Sequence, residues 1–513
     1  MANYDVVVVG AGCAGLAAAL EAVIAGKKTL LIEQHNVPGG CATSFSRGRF
    51  EFDPSLHELC GVGPENDPGA VRQQMERYGV QVDWRRVNDC FRIVSRYADG
   101  TKMDVTMPTG EQAFIDRMEQ YVPGSRKSVE DMFKLFHEVN DGIDYTSDDP
   151  NGADVKVLIE KYPNMLRTGI YSCQKVFDAL GLPKKVQEIM STYWSYLGVD
   201  MERLSFIHYS CMVLNYISRG AYIPAHTSHE ISVAMTERFR ELGGKIWFNC
   251  RANRFLFEGD RCCGVDTTMG TVRSEYVLAN INPDIIYGKM MPTALIPKRE
   301  KKLSAARDRQ FGARMFTVYF GLNKTPEEIG IKDYSIFLSG STDSRKEFES
   351  MKYSDTNEYS IFLCYNIVNP AFSPAGTCVC SFTTMFHSTE EWDRVTPENY
   401  VALKDKMVEK FLKNLKDKAD IDIRPYIEEV SAASPWTFAR YLGVPEGSVY
   451  GYLTKDWDDI ISRSMMVDRD YPIKGLRPIG TSGPRGDGYS SAYQCGSMIA
   501  KGILREMAQG GNV

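Results

Sequence analysis

Three glycines and one acid carry the first recognisable chemistry in this chain. The stretch VVVVGAGCAG, residues 6–15, places glycine at Gly10, Gly12 and Gly15. Gly10 allows a tight turn, Gly12 lets backbone approach a pyrophosphate, and Gly15 lets the following helix pack close to the strand. The helix GLAAALEAVIAG, with Cys13 and Ala14 in the turn before it, points its first N–H groups at anionic oxygens. Glu33 closes the next strand, KTLLIEQ. A carboxylate there accepts hydrogen bonds from ribose hydroxyls and repels a 2′-phosphate. VPGG at 37–40 follows, and Gly39 with Gly40 lets backbone lie along a pyrophosphate a second time. The spacing predicts a dinucleotide site.

Those residues need a scaffold. YDVVVV reads as a buried parallel strand from its β-branched run, and strand, helix and second strand together predict an α/β fold. Residues 226–283 read as a helix, Gly243-Gly244, a strand, a hairpin turn at Glu258-Gly259-Asp260, a strand, and a last strand ending in Asn-Pro. Residues 475–503 read as a short strand, a glycine-rich turn and a helix. Between these blocks, 70–220 is helix-rich with many aromatics and Met. The segment 285–430 alternates like strands in FTVYFGLN and TCVCSFTTMF. No repeat, low-complexity tract or flexible linker interrupts the chain.

Composition narrows the classes. A formal net charge of -6 argues against a nucleic-acid partner. Thirteen cysteines at irregular spacings, with no secretory signal, predict free thiols and a cytoplasmic protein. No apolar run approaches the length of a membrane span; the nearest, FIHYSCMVLNYIS at 206–218, is short and partly polar. Cys41 lacks a CxxC partner, while Cys262-Cys263 and Cys378/Cys380 fall in strands, so no disulfide-reductase pair is expected. His226 and His229 show no third ligand, and no metal site is expected. Covalent attachment of the cofactor through Cys41, Cys495 or a histidine stays open.

The pattern acid, Pro-Gly-Gly, Ser/Thr-rich stretch and Phe-Asp at Glu33, Pro38, Gly39, Gly40, Thr43, Ser44, Phe52 and Asp53 resembles a flavoprotein superfamily. That superfamily holds the phytoene desaturases, carotenoid isomerases and all-trans-retinol saturases. Its closing flavin motif is matched by Gly480, Gly486, Asp487 and Gly488. The helix start near Tyr489, Ser490 and Ala492 is then implied to face the flavin ring. The central block implies that backbone around Ala252 meets the adenine. ASPWTFARYLGVPEGSVYGYL, 433–453, is similar to the segment before the closing motif, with Ser434, Pro435, Thr437, Tyr441, Glu446, Gly447, Tyr450 and Gly451 corresponding.

The resemblance implies a Rossmann-like FAD-binding domain of the glutathione-reductase/amine-oxidase type, assembled from 1–69, 221–284 and 431–513. A mixed-sheet and helical substrate domain would come from 70–220 and 285–430. It implies hydride exchange between flavin N5 and a carbon of a long apolar substrate, with desaturation, saturation and isomerisation all open. Tyr489, Tyr450 and His57, with Ser490, are candidates for handling the partner proton. The implied partners are an apolar or lipid substrate, an unidentified electron donor or acceptor, and peripheral contact with a membrane. Two alternatives stay open: an amine oxidase-like enzyme on the same fold, and a non-enzymatic lipid escort like the Rab escort proteins.

Overall fold

The computed structural model of this chain describes residues 2–148, 153–305, 311–453, 472–480 and 488–510. The valine run forms the strand Ala2–Val9, and the helix Cys13–Ile24 returns the chain to the parallel strand Thr29–Ile32. Val6, Val7 and Val8 are fully buried. Val6 and Val8 face the helices Cys13–Ile24, Ala70–Tyr78, His229–Glu241 and Gly488–Ala508. Val7 and Val9 face Phe255, Val265, Ile286 and Met290 on the other side. A strand covered on both faces has no solvent side, which is why this one is apolar throughout.

Distant stretches of chain complete the sheet. Gly270–Ala279 runs parallel to Ala2–Val9, and Lys245–Trp247 runs parallel to Thr29–Ile32. Leu476–Pro478 pairs in parallel with the end of Gly270–Ala279, beyond the part of that strand that pairs with Arg261–Thr267. Ala252–Glu258 and Arg261–Thr267 precede Gly270–Ala279 as an antiparallel meander, with the expected turn between the first two.

Among the described residues a second sheet also has seven strands. Its order is Ile427–Ala433, Arg314–Leu322, Cys378–Phe386, Ser360–Cys364, Ser335–Leu338, Asp89–Arg96 and Lys102–Pro108. The two alternating segments form the central strands Arg314–Leu322 and Cys378–Phe386, and every residue of these two strands is buried. Tyr319 and Val379 face one core with the helices Arg126–Asp148 and Phe206–Leu214. Phe316, Val318 and Phe382 face another core under the helix Pro397–Ala419. The last two strands come from inside the segment read as helix-rich: CFRIV, within Asp89–Arg96, pairs with Lys102–Pro108 as a hairpin and with Ser335–Leu338 far along the chain.

Candidate functional site

The glycine turn is closed as its residue types require. A Cβ on Gly15 would stand 1.8 Å from the Gly10 carbonyl oxygen, so helix and turn are in backbone contact. Gly12 precedes the helix Cys13–Ile24, and the Leu16 N–H closes on its carbonyl at 2.9 Å. The second glycine segment lies alongside: the Gly39 N–H donates to the Ala11 carbonyl at 2.8 Å. Glu33 is buried at the strand end. Its carboxylate accepts the Ala11 N–H at 2.7 Å and the His35 N–H at 2.8 Å. Burial pushes this carboxyl above the usual range, and the two N–H donors oppose that shift.

A cavity of about 1200 Å³ takes in this turn and much more. Single small-molecule sites occupy roughly 300–1,000 Å³. The space therefore accommodates a large ligand together with a second one. Gly10, Gly12, Cys13, Ala14, Glu33, Gly39 and Gly40 line it, as do Ala252, Gly480, Gly488, Tyr489 and Ser490. His57 and Tyr450 line it too. Gly15 is not on the wall, because it backs against the turn. Thr43 and Ser44 also stand off it. Ser44 Oγ lies 3.3 Å from His229 Nδ1, and the Thr43 carbonyl accepts from Ser228 Oγ at 3.5 Å. Gly486 and Asp487 lie outside the described residues.

The start of the helix Gly488–Ala508 is tied to the loop after the Pro-Gly-Gly segment. The Tyr489 hydroxyl donates to the Cys41 carbonyl at 2.9 Å and meets Ser55 Oγ at 2.8 Å. Ser490 Oγ donates to the Cys60 carbonyl at 2.8 Å. Asp53 holds the loop from inside, accepting the N–H groups of Ser55 at 3.1 Å, Leu56 at 2.7 Å and Ser228 at 2.6 Å. Burial pushes Asp53 up to about 6, against those donors. His57 is pulled down to about 4 by burial, so its imidazole is neutral near pH 7.

Two features escaped the sequence reading. Glu58 lines the cavity beside His57, and Tyr196 O–H donates to its Oε1 at 2.7 Å. Burial pushes this carboxyl up to about 7. The triplet His-Glu-Leu was the only local signal, and it carries no information about burial. The second feature is a set of three thiols, Cys364, Cys378 and Cys380, whose Sγ atoms lie within 4.8 Å of one another. Cys364 pairs with Cys380 across neighbouring strands, and all three sit in the core under Pro397–Ala419, on the face away from the cavity.

Known proteins align with this frame. Residues 5–58 match the family model described as FAD dependent oxidoreductase. The chain is 25% identical to an all-trans-retinol 13,14-reductase of Danio rerio, over 88% of this chain and 77% of that protein. It is 20% identical to prolycopene isomerase 2 of an Oncidium hybrid cultivar, over 98% of this chain and 84% of that protein. A phytoene dehydrogenase of Streptomyces griseus is 27% identical over 55% of this chain and 54% of its own. Among solved structures, an oxidoreductase from Methanosarcina mazei superposes with a TM-score of 0.61 at 14% identity, covering 97% of this chain and 99% of that one. Putrescine oxidase superposes at 0.63 with 13% identity, covering 98% and 99%. These structural likenesses establish the fold.

Proposed function

We propose that this chain, which belongs with the FAD-dependent oxidoreductases of the phytoene desaturase, carotenoid isomerase and all-trans-retinol saturase type, acts on carbon–carbon double bonds of a long apolar polyene or unsaturated lipid. One observation carries the reading: the dinucleotide cradle opens without a break into a chamber walled by Tyr196, Tyr216, Tyr450, Leu214 and Met315. Bound FAD supplies hydride exchange at its N5. Glu33 and the backbone of Arg251–Asn253 suit the adenosine end. Gly10, Gly12, Cys13, Ala14, Gly39 and Gly40 suit the pyrophosphate. Gly480, Asp487, Gly488, Tyr489 and Ser490 suit the flavin end, where the start of Gly488–Ala508 aims its positive dipole. In this reading 1–69, 221–284 and 431–513 hold the cofactor, and 70–220 with 285–430 cover the substrate.

Access from a lipid surface is part of the proposal. Among the described residues no helix is long and apolar enough to cross a membrane. Val155, Ile159, Leu166 and Ile170 are nonetheless exposed, at 61%, 58%, 40% and 84%, with Lys156, Lys161 and Arg167 among them. Apolar side chains interleaved with cations suit peripheral contact with an anionic bilayer. The helix Pro163–Thr168 carrying Leu166 packs on Arg126–Asp148, whose Asn140 and Ile143 line the cavity.

The test is a single-turnover panel. FAD-loaded protein, oxidised or photoreduced without oxygen, is mixed with all-trans-retinol, prolycopene or phytoene, the compounds in the relatives' names. Conversion only by reduced protein assigns a saturase or isomerase; conversion only by oxidised protein assigns a desaturase. Inertness toward all three, with peroxide formed from amines, overturns the proposal in favour of the amine-oxidase alternative.

A further inference from the structure

The loop that carries Glu58 is held at five consecutive residues. Tyr365 O–H donates to the Leu56 carbonyl at 2.7 Å, Tyr334 O–H donates to the His57 carbonyl, and Tyr216 O–H donates to the Glu58 carbonyl at 3.2 Å. Leu59 exchanges both backbone hydrogen bonds with Tyr222, and Ser490 Oγ holds the Cys60 carbonyl. Three tyrosines of the substrate-covering part, one strand and the flavin-end helix therefore fix this stretch together. Backbone this constrained holds a side chain to a narrow set of directions. The side chain so held is the Glu58 carboxyl, which is 6% exposed and lines the cavity. Tyr196 satisfies Oε1, while Oε2 is buried with no hydrogen-bond partner. A buried acid oxygen left without a partner is costly and calls for an explanation.

We propose that Glu58 is the acid–base group of this site, exchanging with the substrate carbon the proton that accompanies hydride transfer, and that Tyr196 is its positioning residue. The inference rests on the double-bond reading above. In the reducing direction one carbon of the C=C bond takes a hydride from reduced flavin. The neighbouring carbon takes the proton from the Glu58 carboxyl. The π bond is replaced by two C–H bonds, the substrate gains two electrons and the flavin loses two. Glu58 is left as a carboxylate that water reprotonates. Desaturation is the same step reversed, with Glu58 as base.

The surroundings suit both roles. The titratable groups facing Glu58 are the phenols of Tyr193, Tyr196, Tyr216, Tyr334 and Tyr365 and the thiols of Cys60 and Cys90. Burial raises all of them, so they are uncharged at neutral pH. With its carboxyl pushed up to about 7, Glu58 gives or takes a proton near neutrality. His57, next to it, is neutral at that pH and has no proton to spare as an acid.

The experiment compares wild type, Glu58→Gln and Tyr196→Phe, each loaded with FAD and checked for flavin content. The first readout is the infrared carboxyl band titrated from about pH 5 to 9. The proposal expects one component of the protonated-carboxyl absorption to titrate near neutrality, to be lost in Glu58→Gln while the components of Asp53 and Glu347 stay, and to shift its midpoint in Tyr196→Phe. The second readout is one turnover of photoreduced protein with all-trans-retinol in deuterium oxide. Glu58→Gln should slow carbon deuteration at least about 100-fold with flavin content unchanged. A carboxyl ionised throughout that range, or Glu58→Gln turning over within about threefold of wild type, overturns the inference. If wild type converts nothing in the panel, the double-bond reading fails and the proton-transfer role of Glu58 fails with it, whereas conversion by wild type with Glu58→Gln unimpaired overturns the Glu58 role alone.

Discussion

Replacing Gly15 by alanine tests the cradle at its tightest point. The added Cβ would lie 1.8 Å from the Gly10 carbonyl oxygen and 3.0 Å from its carbon. Non-bonded carbon and oxygen do not approach closer than about 3 Å, so the helix Cys13–Ile24 must retreat from the turn by more than about 1 Å. Its first N–H groups retreat with it. A donor set about 2.9 Å from a phosphate oxygen then falls outside hydrogen-bonding range. Each hydrogen bond to a charged group contributes about 1.5–3 kcal/mol, so losing two weakens binding by about 3–6 kcal/mol. That is at least about a hundredfold in the dissociation constant for FAD. The assay is deflavination followed by FAD titration, read by quenching of flavin fluorescence, with circular dichroism confirming the fold. Gly15→Ala binding FAD within about threefold of wild type would refute the argument that the helix start holds the phosphates.

Three further outcomes are expected. Glu33→Ala leaves the Ala11 and His35 N–H groups without acceptors, at about 1–3 kcal/mol each, and should weaken FAD binding more than Glu33→Gln, as FAD titration of both will show. Glu21 joins three helices: the buried carboxylate takes Arg77 Nη1 at 2.9 Å, the Tyr78 hydroxyl at 2.9 Å and Ser497 Oγ. Glu21→Ala should cost about 2–4 kcal/mol, seen as a lower unfolding midpoint. Glu58 ionises near pH 4.5 when unfolded but is raised to about 7 when folded, so it destabilises the fold increasingly as pH rises between those values, by about 3 kcal/mol above pH 7. Glu58→Gln should therefore melt higher than wild type above pH 8, with the gain fading toward pH 4.5. A stability difference independent of pH would contradict it.

The cradle was legible because its constraints are local. Gly10, Gly12 and Gly15 answer to one turn, and the valines on either side of Val7 report a sheet covered on both faces. Strands were also read at Gly270–Ala279, before Asn-Pro, and at Leu476–Pro478, before the glycine-rich turn, and both join that sheet; their common sheet was implied by the resemblance rather than by their own residues. What failed to show is what depends on distant partners. The alternation in FTVYFGLN suggests one wet face, yet a second core under Pro397–Ala419 covers it. Asp89–Arg96 sits among helices in sequence; it pairs locally with Lys102–Pro108 and joins the second sheet only through Ile336–Leu338. Glu58 depends on Tyr196, 138 residues away, and its loop on Tyr334 and Tyr365, 277 and 309 residues from the carbonyls they hold. No local pattern encodes such meetings.

The central claim is an FAD cradle opening onto the chamber where a double bond reacts. The most direct measurement is the visible spectrum of the purified protein, taken before and after anaerobic photoreduction and again after adding all-trans-retinol, prolycopene or phytoene. The account predicts an FAD spectrum that bleaches on reduction and is perturbed by one of these compounds. A colourless protein that takes up no added FAD would contradict it.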